Sequence, residues 1–290
     1  MSYTNDTIFI NAYNAMKHHL ASQANSKLKG LFVEEMANGE KHFFDRIGTF
    51  AVSQLDSLNA DIPYQDAQFT RRMCTINKFH NGTLIHDIEK VKMLVDPTND
   101  VVKEIVSAHN RNYDDVLFAA MLGTAATGKD GSGSQAFDTS NQQIAHGSTG
   151  VTLAKLLQAQ KILKKNDVDF DNEDIYLIFG PEAEEDILQI TNFTSRDFQA
   201  SQGIIGGKEL PSFRGMKLVF SNRIPDQTAG SVYRVLVMSS RVLKVAKYGD
   251  VNVNIDRIAH KGDQPTQIYT TSSIGAVRME EKLIVDVLYQ

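Results

Sequence analysis

The chain has 290 residues, 42% hydrophobic and 22% charged, with 30 basic against 35 acidic side chains and a net charge of −5. That balance excludes a disordered tail, a collagen-like fibre and a long coiled coil, and leaves no general basic footprint for nucleic acid, although a local patch stays open. The single cysteine, Cys74, excludes an intrachain disulfide and a cysteine-built zinc site.

The segment Met1 to Thr7 has no basic stretch followed by an apolar run, so no secretory signal is expected. The longest near-apolar run, Val116 to Ala126, falls short of the roughly 20 residues a membrane helix needs. The expectation is a soluble intracellular protein. The first forty residues are polar. Ile8, Phe9, Tyr13 and Met16 form one apolar stripe, and the segment reads as an extended arm with one amphipathic piece.

From Phe43 the character changes. Phe43 to Val52 and Arg72 to Phe79 carry β-branched and aromatic residues around a polar, Pro-containing middle, Asn59 to Gln68. This predicts a long hairpin too thin in apolar content to bury a full face within its own chain. Asn81-Gly82 predicts a second tight turn, since both residues tolerate positive φ. Next comes a long helix. Asp96 can cap it and Pro97 suits the first helical position. Val101, Val102, Ile105, Val106, His109, Tyr113, Val116, Leu117 and Ala120 hold the three-four spacing of one face, and Gly123 ends it.

Between Gly123 and Gly150, Gly, Ser, Thr, Asp and Gln dominate, which predicts a mobile surface loop. A helix follows with Leu153, Leu156, Leu157 and Leu163 inward and Lys161, Lys164 and Lys165 in its last turn. The acidic stretch Asp167 to Asp174 leads into a buried strand, Ile175 to Phe179, and Gly180-Pro181-Glu182 opens a further helix. Later strands are expected at Met216 to Phe220, Val232 to Met238, Val242 to Ala246, Val251 to Asp256, Ile268 to Arg278 and Leu283 to Tyr289. Helices come early and strands late, so the fold class is α+β.

Chemical motifs stop short of a site. Gly123 to Asp130 nearly matches a phosphate-binding loop, but Asp130 replaces the hydroxyl after Lys129, and a helix precedes it instead of a strand. His146-Gly147-Ser148-Thr149-Gly150 resembles a hydrolase nucleophile elbow without its first glycine. Asp167, Asp169 and Asp171 have calcium-loop spacing, but Asn172 and Ile178 stand where Gly and a bidentate Glu belong. The eight histidines form no zincin pattern, and no Gly-x-Gly-x-x-Gly follows a strand. No catalytic, cofactor-binding or metal-ligating residue is therefore assigned, and no enzyme activity is expected. Arg71-Arg72 and Asp45-Arg46 become candidates for intersubunit ion pairs if the hairpin lies on another subunit.

Three stretches carry a family resemblance. Asp114 to Gly128 is similar to the end of a spine helix and the glycine-rich loop after it. Phe179 to Ala183, Ser195 to Phe198 and Gly203 to Pro225 follow, with Gly206 to Pro225 the most specific. Ile274 to Glu280 is similar to a closing strand pair. In this order they resemble the major capsid proteins of tailed bacteriophages, the group with the Hong Kong 97-type shell fold. The resemblance covers residues 43–290. It implies an N-terminal arm (1–42), an extended loop across a neighbouring subunit (43–88), and a peripheral domain (89–172) with spine helix 97–123, completed by strands from about 251–275. An axial domain (173–250) and C-terminal strands (251–290) follow.

The implied function is self-assembly into hexamers and pentamers of an icosahedral virion shell around double-stranded DNA, bound without sequence specificity. Assembly would take place in the host bacterial cytoplasm, without a membrane. The implied partners are other copies of the chain, a separate scaffolding protein, a portal and an optional cement protein. The crosslinking lysine and asparagine of some members have no match here, which favours a non-covalent shell. Two alternatives stay open at this stage: an encapsulin-like compartment shell, and an α+β enzyme that uses the Gly123–Gly150 loop and Lys129 on a phosphorylated ligand.

Overall fold

The computed structural model describes residues 22–52, 54, 64–86, 98–190, 212–228, 230–262 and 264–290. The apolar stripe Ile8 to Met16, the Asp96-Pro97 cap, the Ser195 to Phe198 motif and the start of the Gly206 run lie outside them.

Among the described residues four strands come first: β1 (Val33–Met36), β2 (Lys41–Ile47), β3 (Phe69–Thr75) and β4 (Asn77–Ile85). Helix α1 (Thr98–Leu122) follows, then three short strands, β5 (Ala125–Thr127), β6 (Gly133–Gln135) and β7 (Gln143–Ile144). Helix α2 (Leu153–Lys165), strand β8 (Ile175–Phe179) and helix α3 (Pro181–Gln189) come next. Strands β9 (Met216–Phe220), β10 (Tyr233–Ser239), β11 (Leu243–Lys247), β12 (Asn252–Arg257), β13 (Thr266–Arg278) and β14 (Ile284–Tyr289) close the chain. This is a mixed helix and sheet fold.

One sheet has the order β7-β14-β10-β8-β9, with β8 and β9 parallel and β10 antiparallel to both β8 and β14. The unbroken apolar run of β8 suits a strand buried on both faces, and all five of its residues are buried. Helix α2 packs against β14 and β10. Leu156, Ala159 and Leu163 from the helix meet Leu177, Val235, Val237, Ile284, Val285 and Val287 in the main core. Burying each such branched side chain contributes about 1.5–3 kcal/mol. Thr152 caps α2 by accepting from the Lys155 backbone N–H at 3.4 Å. Pro181 opens α3, with Glu182 and Glu184 at its positive dipole end.

The second sheet is built on β13. Strand β4 pairs with one edge over Thr266 to Ile274. The other edge takes β12 and then β11, and β1 runs parallel beyond β11. Helix α1, 25 residues long, lies on β13. His109 fixes its position: its two ring nitrogens stand 2.8 Å from Ser272 Oγ and 2.9 Å from Thr270 Oγ1. The third sheet, β2-β3-β5-β6, is antiparallel throughout.

Several expectations are corrected. Asn81-Gly82 is not a turn, because β4 runs straight through it. Gly82 stands opposite Tyr269, and a Cβ there would make an ordinary contact with the tyrosine ring at 3.4 Å, so the position is a regular strand residue. The first hairpin strand ends at Ile47, where the Gly48 N–H bonds the Gln68 carbonyl at 2.8 Å. The second run divides at Ile76, because β3 pairs with β2 and β4 with β13. The polar segment after Gly123 is not a single loop: β5 and β6 extend the hairpin sheet and β7 joins β14. Strand β11 pairs with β13, whereas β14 sits inside the sheet of β8.

Candidate assembly interface

Alternation along the hairpin decides which side chains turn inward. On β2, Phe44 is buried, and on β3, Arg72 and Cys74 are. Phe44 and Cys74 pack with Ala125, Ala246, Val277 and Met279 in a small second core. Burial raises the Cys74 thiol to about 11, so it behaves as an inert apolar side chain.

Beyond this base the apolar side chains face solvent. Ile47 and Phe69 stand opposite each other at 62% and 70% exposure, and farther out Phe50 reaches 58%, Tyr64 89% and Val52 99%. Single exposed apolar residues are ordinary, but five large ones on one protrusion mark an interaction surface.

The charged candidates divide by facing. Arg71 points outward and its guanidinium grips Asp45 through two nitrogens, at 2.6 and 3.2 Å. That contact holds the Asp45 carboxyl below its usual range. Arg72 points inward. Its Nη2 donates to both Glu281 oxygens, at 3.0 and 3.1 Å, and its Nε to the Met279 carbonyl at 3.3 Å. Arg46 Nη1 donates to the same Met279 carbonyl at 2.8 Å. Arg71 and Asp45 thus pair with each other, and Arg72 with Glu281, within the chain.

Behind this base lies a residue that sequence reasoning missed. Arg278 is fully buried. Its Nη1 donates to the carbonyls of Met121 (2.7 Å) and Gly123 (2.6 Å), and its Nη2 to that of Gln135 (3.1 Å). It therefore caps the negative end of α1 and pins the start of the glycine-rich segment to β13. The available signal was a lone arginine ending an apolar strand, with Glu281 three residues on.

Lys155 was missed as well. It sits on the inward face of α2, and its Nζ donates to the carbonyls of His146 (2.8 Å), Thr149 (2.8 Å), Gly150 (2.9 Å) and Leu288 (3.3 Å). It organises the elbow-like segment from within. His146 Nδ1 accepts from the Ser148 backbone N–H at 3.1 Å, so that nitrogen is not free to activate a hydroxyl.

The phosphate-loop near-match is a turn between β5 and β6, with Gly128 (φ 90°) and Gly131 (φ 75°) supplying its left-handed positions. It opens no helix and holds Lys129 at its exposed tip. The calcium-like spacing is a self-capping turn. Asp169 accepts from the backbone N–H groups of Asp171 (2.9 Å) and Asn172 (3.4 Å) and from the Asn172 side chain (2.5 Å). Among the described residues no three His, Cys, Asp or Glu side chains are placed to hold a metal, and no helix is long and apolar enough to cross a membrane.

An open groove of about 660 Å³ runs along the hairpin base. Arg46, Arg71, Arg72 and Lys129 line it with Asp45, Phe69 and Gln135. Two of its cations, Arg71 and Arg72, are paired with Asp45 and Glu281.

Comparison with known proteins agrees with this geometry. Among curated proteins no sequence matches. Solved structures do, at sequence identities that speak for the fold alone. The capsid of cyanophage P-SCSP1u superposes with a TM-score of 0.75 at 15% identity, covering 99% of this chain and 97% of that one. A structure of Mycobacterium phage Che8 gives 0.72 at 12%, covering 98% of each chain. The capsid of Ralstonia phage GP4 gives 0.67 at 11%, covering 100% and 98%. A family model described as phage capsid protein matches residues 6–290. The chain belongs to the phage capsid protein family.

Proposed function

We propose that this phage capsid protein works as the repeating subunit of an icosahedral shell, arranged in hexamers and pentamers, with hairpin β2–β3 lying across a neighbouring copy. The hairpin carries this reading: Ile47, Phe50, Val52, Tyr64 and Phe69 project from a body whose own core is already closed. An apolar surface of that kind is stabilised when a second chain covers it, and symmetry repeats each modest contact around the shell.

In this reading β2–β3 is the extended loop, preceded by the arm. Helix α1 with the β13 sheet, including β4, forms the peripheral domain. The β8 sheet with α2 and α3 forms the axial domain. The role is structural, without catalysis. Packaged double-stranded DNA, a separate scaffolding protein, a portal and a cement protein are partners of the assembled particle, and assembly takes place in the bacterial cytoplasm. The net charge of −5 suits a container whose wall does not grip DNA.

The test is to express the chain and examine it by sedimentation and electron microscopy. Closed shells of uniform diameter are expected. A persistent monomer or dimer at every concentration would contradict the proposal.

A further inference from the structure

The cations of the hairpin groove are not equally compensated. Arg71 is neutralised by Asp45 and Arg72 by Glu281. Arg46 bonds only neutral acceptors, the Met279 carbonyl and the Thr70 hydroxyl. Lys129, exposed on the β5–β6 turn, has no carboxylate partner among the described residues. The groove therefore presents two unbalanced positive charges beside Phe69, a large apolar side chain at 70% exposure.

The opposite imbalance sits on α3. Glu182 and Glu185 are exposed, and neither has an ion-pair partner among the described residues. Leu188, 38% exposed, follows three residues after Glu185. Spacings of three place Glu182, Glu185 and Leu188 along one side of the helix. The other dense acidic stretch is largely engaged within its own chain: Asp169 caps its own turn, Glu173 pairs with Arg241 and Asp174 with Lys217. No α3 residue lines the groove of its own chain.

We propose that the exposed face of α3 docks into the hairpin-base groove of an adjacent copy, with Glu182 and Glu185 meeting Arg46 and Lys129 and Leu188 covering Phe69. This rests on the shell reading above and names the surface that receives the hairpin base. Two carboxylates and one leucine match two cations and one phenylalanine in sign and kind. DNA phosphates would satisfy the cations but leave Phe69 and Ile47 exposed, so the apolar component favours a protein occupant.

The test uses charge reversal at exposed positions with no ion-pair partner among the described residues. Lys129→Glu and Glu185→Lys should each lower the yield of closed shells about tenfold at fixed concentration. The two combined should restore it, with circular dichroism checking that each variant folds. A second readout pairs Lys129→Cys with Glu185→Cys, which should link copies by disulfides in assembled shells and not in dissociated subunits. Shells from single variants at normal yield, or a combination no better than either single, would overturn the docking and leave the shell reading standing. Normal shells with reduced DNA content would overturn it in favour of a nucleic-acid contact. No shells from the unaltered chain would overturn both.

Discussion

Arg72 and Glu281, 209 positions apart in the chain, meet in a two-pronged ion pair at 3.0 and 3.1 Å, with the arginine side chain 6% and the glutamate 16% exposed. Arg278 Nε approaches the same carboxylate at 3.5 Å while its Nη1 caps α1. One carboxylate thus ties together the hairpin base, the end of β13 and the C-terminus of the long helix. Burial works against the charge on both arginines, and Glu281 offsets that cost.

Arg72→Ala should therefore destabilise the free subunit by about 3–5 kcal/mol, the cost of leaving one member of a buried pair alone. Urea unfolding measures it. A loss below about 1 kcal/mol would place the pair among surface contacts of little weight.

Lys155→Met keeps the length of the side chain but removes the ammonium from four carbonyl groups, of which those of His146 and Thr149 keep a backbone donor. A cost of about 3 kcal/mol is expected, with faster proteolysis at His146 to Gly150. Equal stability and an unchanged cleavage pattern would mean that the segment holds itself.

Acidification should weaken the fold in two stages. Burial lowers His109 below its ordinary 6.5. Between its folded and unfolded values the unfolded chain holds more protons, so stability falls as pH drops through about 6.5. A second loss follows as pH falls below the ordinary carboxylate value, because Glu35 is held under 4.5 by Lys244. Melting temperatures across pH would show both stages, and His109→Gln should remove the first alone.

Ile47→Ser and Phe69→Ser act on side chains that are mostly exposed and belong to none of the hydrophobic clusters among the described residues. Subunit stability should change by no more than about 0.5 kcal/mol. Shell yield should fall sharply, as read by sedimentation. A matching drop in subunit melting temperature would mean that the two side chains serve their own fold.

Local signals carried much of this architecture. The five apolar residues of β8, the three-four spacing of α1 and the Pro-first, acid-rich start of α3 each state their structure within one window of sequence. The departures come from partners far along the chain. Asn81-Gly82 has turn chemistry, yet β13 recruits it as strand through an unbroken ladder from Asn77 to Ile85. The polar composition after Gly123 hides β5 and β6, whose hydrogen bonds come from β3 and from each other. The roles of Lys155 and Arg278 depend on backbone carbonyls that only the folded chain brings around them. The exposed hairpin was legible as a shortage, too little apolar content to close on itself.

The most direct measurement replaces residues 49–67 with a two-residue Asn-Gly turn joining Gly48 to Gln68, whose backbones are already hydrogen-bonded at 2.8 Å. Electron microscopy and a thermal melt of the shortened and full-length chains give the answer. An unchanged melt is expected, with closed shells from the full-length chain alone; normal shells from the shortened chain would contradict a shell-building role for the hairpin.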